Sequence, residues 1–532
     1  MVSRRRRRAL GALAALAVLG ATGSLATATS ASAATASLGY DPATDGGSMS
    51  MISTLVGAQS MWENGYTGKG VDVAVIDTGV TRVPGLDRVG KVIDGPDLSF
   101  DSQNAAFAHV DGFGHGTMMA SIIAGSDVAP GTSAKRCRTC SVPSAYSDTT
   151  KFVGIAPDAR IVNVKAGASD GSVDVSQVIA AIDWTVQHRH DNGMNIRVIS
   201  LSYGTDSLQP SAVDPLSYAA EVAWRKGIVV VASAGNDGLA TTALADPAYN
   251  PAILAVGAAD GANTLSYSDD TVPSFAQHGN ALRSVDLVAP GTHVLGLRVP
   301  GSFIDTNVTT GKVGTRFQRG TGTSESAAVV SGVVALLLQK FPTATPDQIK
   351  AVLKATAQDI GKPIEVPEFL KPLQDLAKQW YQGDGMIDVD AAGSVSSLPT
   401  ATAPALSSTG LGTIEGARGT SDVISNAVTL TGEVDVLSNP WNGVRWSAAS
   451  WAGTSWTGGV WNGVRWSGDT WASGAWTTAA WAGNDWSGVR WSGVRWSGMR
   501  WDGVRWSGTG WDGVRWSSGS WDGVRWSDSD YS

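Results

Sequence analysis

Short apolar runs alternate with segments of helical periodicity over residues 71–256. From Val175 onward, apolar side chains recur three or four positions apart, which predicts an amphipathic helix. Strands that alternate with helices in this way are typical of an α/β fold with a mostly parallel sheet flanked by helices. The predicted strands are residues 71–76, 161–164, 197–201, 228–232 and 253–256, and the predicted helices are residues 175–186 and 218–226.

The last part of this predicted domain is mainly helical. An apolar stretch over residues 324–340 stops before Pro342 and predicts a long buried helix. Thr345-Pro346-Asp347 places an N-cap residue before a proline at the first helical position, so a second helix is predicted to begin there. Residues 384–389 predict a closing strand, and we place the end of the globular domain at residue 393.

The composition changes abruptly after the predicted domain. Residues 394–437 are rich in Ser, Thr, Ala, Gly and Pro and predict a linker. In residues 438–532 a tryptophan occupies every fifth position from Trp441 to Trp526, which accounts for 18 of the 22 tryptophans. The best copies read Trp-x-Gly-Val-Arg, and a period of five fits a three-residue strand followed by a two-residue turn.

The tryptophan repeat is open to three interpretations. The first is a self-packed β-rich array, either a small β-solenoid or stacked hairpins. The second is a binding module in contact with a cell wall or another surface, because tryptophan rings stack on sugars and apolar groups. The third is a disordered tail. Eighteen fully exposed tryptophans would invite aggregation, which favours the self-packed array.

Residues 1–33 have the features of a secretion signal. Five arginines precede a short apolar run, and Ala31-Ser32-Ala33 suits signal cleavage. An N-terminal extension, residues 34–65, then precedes the globular domain, residues 66–393. We expect a secreted, extracellular protein without a transmembrane anchor, because no later run reaches the roughly 18 apolar residues that a membrane-spanning helix needs.

Charge and cysteine content narrow the classes of partner. The formal net charge of −8 becomes −13 when residues 1–33, with five arginines and no acidic residue, are removed. An acidic secreted protein is poorly suited to binding nucleic acid, so we expect no nucleic-acid partner. The two cysteines, Cys137 and Cys140, favour a local disulfide in an oxidising compartment over free thiols or half of a metal site.

Three short motifs carry an acid, an imidazole and a hydroxyl. Asp77-Thr78-Gly79 follows the first predicted strand, Gly114-His115-Gly116 precedes an apolar helix, and Gly322-Thr323-Ser324 opens the long helix. Taken singly, Asp77 suits a turn and Ser324 suits a helix N-cap. An aspartic-protease function for Asp77 needs a second Asp-Thr-Gly or Asp-Ser-Gly motif, which the sequence lacks. The chain order Asp, His, Ser instead favours a nucleophilic hydrolase.

These motifs and three further segments resemble the sequence blocks of the subtilisin-like serine peptidases, the subtilases. The resemblance covers about residues 62–392 and implies a subtilisin-like α/β fold. The further segments are Gly154-Ile155-Ala156-Pro157, Ser200-Leu201-Ser202-Tyr203-Gly204 and Leu287-Val288-Ala289-Pro290-Gly291.

The resemblance also implies roles for individual residues. Ser324 would attack the scissile carbonyl, His115 would act as its base, and Asp77 would orient the imidazole. Asn236 and the backbone N–H of Ser324 would hold the oxyanion. Polypeptides are the implied substrates, with broad specificity and a preference for large apolar side chains, and the chemistry requires no cofactor. The implied substrate-binding residues are Ser202, Tyr203, Gly204, Ser233, Ala234 and Gly235.

Three features depart from the family pattern. Glu325 follows the predicted nucleophile where many relatives carry methionine, and its carboxylate is expected to raise the pKa of His115. The stretch between residue 34 and Asp77 looks too short for a folding propeptide, which leaves unaided folding or assistance from the tail. The family's calcium loop is unrecognisable around residues 135–148, so a structural calcium ion stays unassigned and the metal content unknown.

Overall fold

The computed structural model describes most of the chain between residues 38 and 462. The gaps are residues 103, 105, 130–131, 133–143, 239–240, 242, 309, 362–373, 402–406, 426–427 and 458–459, and beyond residue 462 only short strand segments are described. The predicted signal peptide, Cys137, Cys140 and most of the tryptophan repeat therefore lie outside the described residues. Among the described residues, no helix is long and apolar enough to cross a membrane.

A seven-stranded sheet forms the centre of the molecule, and all of its neighbouring strands are parallel. The strand order is β2-β3-β1-β4-β5-β6-β7. This confirms the predicted α/β fold with a mostly parallel sheet. The strands are β1 (Asp72–Asp77), β2 (Val92–Asp97), β3 (Arg160–Lys165), β4 (Ile196–Leu201), β5 (Val229–Ser233), β6 (Leu254–Ala259) and β7 (Leu287–Pro290).

Helices pack around this sheet. The longest of them, Thr323–Lys340, corresponds to the helix predicted over residues 324–340. It packs against strands β4 to β7, and nearly all of its side chains are buried. The helices are α1 (Met49–Leu55), α2 (Ala58–Glu63), α3 (His115–Ala124), α4 (Val175–His188), α5 (Pro215–Arg225), α6 (Phe303–Asn307), α7 (Thr323–Lys340), α8 (Pro346–Thr356), α9 (Gln374–Gln382), α10 (Val389–Ser394), α11 (Ile414–Arg418) and α12 (Gly443–Ala452).

The strand order places a topological switch point at β1. The chain runs from β1 outward to β2 and β3 on one side, and from β4 to β7 on the other. Ligands of open parallel sheets bind beyond the carboxyl ends of the strands, at such a switch point. Asp77 is the last residue of β1, so the topology brings the predicted acid to the expected place for a site.

One predicted strand is nearly absent from the structure, and one sheet was not predicted from the sequence. The closing strand predicted over residues 384–389 is reduced to single bridges at Met386, which pairs with Val288 and Gln358. A separate antiparallel sheet, absent from the prediction, has the order β8-β10-β9. Its strands are β8 (Val294–Leu297), β9 (Lys312–Val313) and β10 (Phe317–Gly320).

The predicted N-terminal extension packs on the body in its described part, from residue 38 onward. Trp62 is buried and its Nε1 donates to the carbonyl oxygen of Ile155 at 2.9 Å. Asp45 forms an ion pair of 2.5 Å with Arg319 of β10. These contacts join residues 38–63 to the segment before β3 and to the antiparallel sheet.

The described part of residues 407–461, which we call the C-terminal clamp, packs on helices α4 and α5. The first part of this clamp was predicted as a linker, yet Ile414, Ala417 and Arg418 are fully buried. Arg418 Nε donates to the Oδ2 atom of Asp174, the N-cap of α4, at 2.6 Å. Ser407 and Ser408 donate to Glu221 of α5. Small polar residues indicated flexibility, but here they supply hydrogen bonds to buried carboxylates.

The first tryptophan units belong to the clamp, and they converge on Asp183 of α4. The indole Nε1 atoms of Trp446 and Trp461 each donate to Asp183 Oδ2 at 2.8 Å, and Ser450 Oγ donates to Oδ1 at 2.5 Å. Burial raises the pKa of Asp183 to about 6, although these donors oppose the rise. The first units of the repeat therefore pack against the globular body.

The repeat changes conformation within the clamp. Trp446 and Trp451 lie on a helix, α12, so the prediction of a strand and turn in every unit is wrong here. The next units form antiparallel strands, β13 (Trp456–Thr457), β14 (Val460–Trp461) and β15 (Val464–Arg465), in the order β13-β14-β15. Trp461 pairs with Val464, as expected for stacked hairpins.

Candidate active site

Asp77 is a buried acid whose carboxylate is held by its own turn. Its Oδ1 accepts a hydrogen bond from the backbone N–H of Thr78 at 2.7 Å. Thr78 Oγ1 in turn donates to Oδ1 of Asp111 at 2.8 Å and accepts from the backbone N–H of Gly116 at 3.0 Å. The turn after β1 and the start of α3 are therefore joined through one threonine hydroxyl.

His115 is the first residue of α3, and its ring faces Asp77. Nδ1 of His115 lies 2.8 Å from Oδ1 and 2.9 Å from Oδ2 of Asp77. Gly116 allows this approach, because a Cβ there would come within 2.2 Å of the Gly79 carbonyl oxygen. Sterics therefore require the glycine that follows His115 in the motif. With this glycine in place, the acid and the imidazole form a direct pair.

Burial and charge act in opposite directions on this histidine. Burial alone would lower the pKa of His115, but the charge and hydrogen bond of Asp77 raise it, with smaller contributions from Glu325 and Asp111. The resulting pKa is raised above the ordinary value for histidine. A neutral imidazole with Nδ1–H bound to Asp77 presents Nε2 as a base, and the carboxylate stabilises the protonated form.

Asp111 supports the pair and was not singled out from the sequence. Its two carboxylate oxygens accept from the backbone N–H groups of Gly114 at 2.6 Å and Thr117 at 2.7 Å, at the start of α3. Desolvation raises the pKa of this fully buried acid despite those bonds. The signal available in the sequence was an acid four residues before His115, at the start of a glycine-rich segment whose backbone N–H groups need acceptors.

Ser324 lies in the first turn of α7 and is buried. Helices α3 and α7 pack against each other, and each carries a predicted site residue in its first turn. The Ser324 hydroxyl has no hydrogen-bond partner among the described residues. The structure therefore bonds His115 to Asp77 and leaves the Ser324 hydroxyl outside that pair, as is common before a substrate tightens a site.

Asn236 follows β5 and contacts the start of the same helix. Its Oδ1 accepts from the backbone N–H of Thr323 at 2.9 Å and from Thr323 Oγ1 at 3.0 Å. The two Thr323 donors need an acceptor, so the end of the Asn236 amide that faces them is the oxygen. The other end is therefore the Nδ2 group, which serves as a donor. The predicted oxyanion donor Asn236 thus contacts Thr323, the residue directly before Ser324.

Both predicted substrate-binding segments also reach the start of α7. Ser202, directly after β4, donates from Oγ to the carbonyl oxygen of Ser324 at 3.3 Å. The backbone N–H of Gly235 donates to Thr323 Oγ1 at 3.2 Å. Strands β4 and β5 are parallel neighbours, so their carboxyl ends meet at this edge. All six predicted residues are buried: Ser202, Tyr203, Gly204, Ser233, Ala234 and Gly235.

Glu325, the third residue of α7, is buried against β10. Its Oε1 lies close to the Cα of Gly320, where a Cβ would come within 2.1 Å of that oxygen. Burial raises the pKa of Glu325 to about 7, and the His115 charge opposes the rise. The same coupling acts on His115, in the direction expected from the sequence.

Metal ligands are a separate question. Among the described residues, no group of three or more His, Cys, Asp or Glu side chains could hold a metal ion. The predicted disulfide of Cys137 and Cys140 falls in residues that the structure does not describe. Both cysteines belong to the segment in which calcium was left unassigned.

Comparison with known proteins agrees with this geometry. The model of the subtilase family matches residues 68–384. The chain is 35% identical over 305 residues to serine protease AprX of Bacillus subtilis (strain 168), which covers 56% of this chain and 64% of AprX, a little under two thirds of its length. It is 30% identical over 341 residues to subtilisin DY of Bacillus licheniformis, covering 64% of this chain and 96% of that protein.

Among solved structures, the chain is similar to fervidolysin from Fervidobacterium pennivorans, described as a keratinolytic enzyme related to subtilisin. The identity is 28%, the match covers 68% of this chain and 49% of that chain, and the TM-score is 0.48. The family match itself spans more than half of the sequence and contains Asp77, His115 and Ser324. The chain belongs to the subtilase family.

Proposed function

We propose that this protein is a secreted serine endopeptidase that hydrolyses peptide bonds through Asp77, His115 and Ser324. The observation that carries the proposal is the buried pair of His115 Nδ1 and Asp77 Oδ1 at 2.8 Å. That bond selects the tautomer in which Nε2 is free of its proton and able to accept one from a hydroxyl. The contact of Asn236 with Thr323, next to Ser324, supports the rest of the assignment.

In the proposed reaction, Ser324 Oγ attacks the carbonyl carbon of the substrate while His115 accepts the hydroxyl proton. The developing oxyanion is stabilised by Asn236 Nδ2 and by the backbone N–H of Ser324 in the first turn of α7, whose helix dipole favours negative charge. The proton then passes from His115 to the leaving amine, and an acyl-enzyme forms on Ser324. Water, activated by the same imidazole, hydrolyses that ester and restores the free enzyme.

A fluorophosphonate probe tests this proposal directly. It reacts with a serine that an adjacent base activates, so the wild-type protein is expected to be labelled at Ser324 and the Ser324→Ala variant to remain unlabelled. If the folded wild-type protein resists labelling, the peptidase proposal is wrong. A binding function for the tryptophan repeat would then be the better hypothesis.

Asn236→Ala is expected to lower kcat by about 10²–10³-fold with little change in KM, because the donor acts mainly on the transition state. That range derives from subtilisin itself, a member of this family. Asn236→Asp serves as the companion variant, since it keeps an acceptor for the Thr323 N–H but loses the donor. Equal kcat values in wild type and Asn236→Asp would exclude Asn236 from the oxyanion site.

Glu325→Gln is expected to move the acid limb of the kcat/KM profile to lower pH. The Glu325 carboxylate stabilises the imidazolium and raises the pKa of His115, and the active base is the neutral imidazole. Loss of the charge therefore makes the base available at lower pH. Asp435→Asn is the control, because this buried acid, with a pKa raised to about 6, bonds within its own turn. If the pH profile of kcat/KM is the same in Glu325→Gln as in wild type, Glu325 does not raise the pKa of His115.

A further inference from the structure

Residues 205–214 form the loop that continues directly from the proposed substrate-binding residues 202–204 and leads into α5. The C-terminal clamp forms hydrogen bonds with this loop. Thr205, the first loop residue, is fully buried and donates from Oγ1 to the carbonyl oxygen of Ala417 in α11 at 2.7 Å. The clamp thus bonds the residue next to the proposed substrate-binding segment.

The second contact needs a glycine in the clamp. Asp206 accepts from the backbone N–H of Thr420 at 2.7 Å and from Thr420 Oγ1 at 2.6 Å. Gly419 has a φ of +63°, and a Cβ at this position would come within 2.3 Å of Asp206 Oδ1. Only a glycine lets the clamp backbone approach this carboxylate so closely.

The third contact involves both ends of one amide. Gln209 Oε1 accepts from the backbone N–H of Thr413 at 2.8 Å, and Gln209 Nε2 donates to the Thr413 carbonyl oxygen at 2.9 Å. Further along the loop, the N–H groups of Thr409 and Gly412 donate to the carbonyl oxygens of Ala212 and Val213. The loop is therefore held by the clamp along most of its length.

Hydrogen bonds also connect this loop to the second proposed substrate-binding segment, residues 233–235. Thr205 pairs with Asp246 through two backbone hydrogen bonds of 3.0 and 2.9 Å. The preceding residue, Ala245, donates from its N–H to the carbonyl oxygen of Ala234 at 2.9 Å. A displacement of Thr205 would therefore reach both the 202–204 and the 233–235 segments.

We propose that the C-terminal clamp is a positioning element for substrate binding, which holds Thr205, Asp206 and Gln209 so that residues 202–204 meet a peptide in the correct geometry. This inference rests on the proposed peptidase function. It identifies Ala417, Gly419 and Thr420 as positioning residues that act through the loop. A long peptide that pairs with residues 202–204 depends on them, whereas a small reagent that reacts only with Ser324 does not.

Gly419→Ala tests the inference, with Gly453→Ala as its matched control. Both glycines have positive φ, but a Cβ at Gly453 meets nothing within 4 Å. In Gly419→Ala we expect KM for an extended peptide substrate to rise on the order of tenfold, since small displacements of binding groups have effects of this size. The kcat value and the rate of fluorophosphonate labelling are expected to stay within about twofold of wild type, and Gly453→Ala to match wild type in all three.

Thr205→Val provides a second route if Gly419→Ala does not fold. This variant removes only the hydrogen bond from the Thr205 hydroxyl to the carbonyl oxygen of Ala417. Thr185→Val is its control, because the buried Thr185 hydroxyl donates to the carbonyl oxygen of Ala181 within its own helix. A labelled Thr205→Val or Gly419→Ala protein with wild-type KM would overturn the clamp inference and leave the peptidase function intact. A wild-type protein that resists labelling would overturn both.

Discussion

Ser324→Ala is expected to lower kcat on the order of 10⁶-fold while leaving KM nearly unchanged, the effect that loss of the nucleophile has in subtilisin. The variant keeps the His115–Asp77 pair and the start of α7, so substrate still binds. It loses only the oxygen that forms the acyl-enzyme. Steady-state hydrolysis of a chromogenic peptide measures kcat, and single-turnover assays at high enzyme concentration detect the residual rate.

Ser326→Ala is the matched control for this experiment. Ser326 lies two residues further along the same helix, is fully buried, and donates from Oγ to the carbonyl oxygen of Ala289 at 2.9 Å. Its loss removes one internal hydrogen bond and is expected to change kcat by less than about twofold, because Ser326 bonds the framework behind the site. Comparable losses in both variants would indicate a general disturbance of α7 and would contradict the role of Ser324.

His115→Ala in the Ser324→Ala background is expected to add little further loss. Residues that act in one proton transfer are strongly non-additive, so removing the base matters only while the nucleophile is present. Multiplicative losses would show that His115 acts apart from Ser324.

The paired site could be predicted because it consists of local motifs placed at strand and helix ends. Asp77 follows an apolar strand, and the glycines around His115 reflect backbone crowding that the structure accounts for at Gly116. The α/β alternation then predicts that strand ends meet at one edge of a sheet. The order of the strands could not be predicted from such patterns, since residues of β1 pair with residues 88 to 125 positions further along the chain.

The clamp could not be predicted, because its stability comes from long-range contacts. Ser407, Gly412 and Thr413 belong to a segment whose composition is typical of a linker, and nothing local shows that its polar groups meet Glu221 or Gln209. The first tryptophan units were equally uninformative, since the pentad Trp-Asn-Gly-Val-Arg leads into helix α12 where it begins at Trp441 but starts in strand β14 where it begins at Trp461. The indoles of Trp446 in α12 and Trp461 in β14 both reach Asp183, so tertiary packing overrides the local pattern.

The buried ion pair of the clamp leads to a prediction about stability. Arg418 and Asp174 have fully buried side chains joined at 2.6 Å, and Arg418 also donates to Glu415 and to the carbonyl oxygens of Gly432 and Val434. Arg418→Met keeps much of the apolar volume but leaves the Asp174 carboxylate buried without its cation. Removal of one partner of a buried pair destabilises a protein by about 3–5 kcal/mol.

We therefore expect Arg418→Met to lower the free energy of unfolding by about 3–5 kcal/mol, measured by urea denaturation in the Ser324→Ala background to prevent self-digestion. Arg82→Met is the control, because the Arg82–Asp94 pair of 2.8 Å is largely exposed and its loss is expected to cost less than about 1 kcal/mol. Adding Asp174→Asn to Arg418→Met should restore part of the stability, since asparagine still caps α4 but carries no charge. Equal unfolding free energies for Arg418→Met and Arg82→Met would show that clamp and body do not depend on this pair, whereas a large, partly reversible loss would make the C-terminal clamp an integral part of the folded subtilase domain.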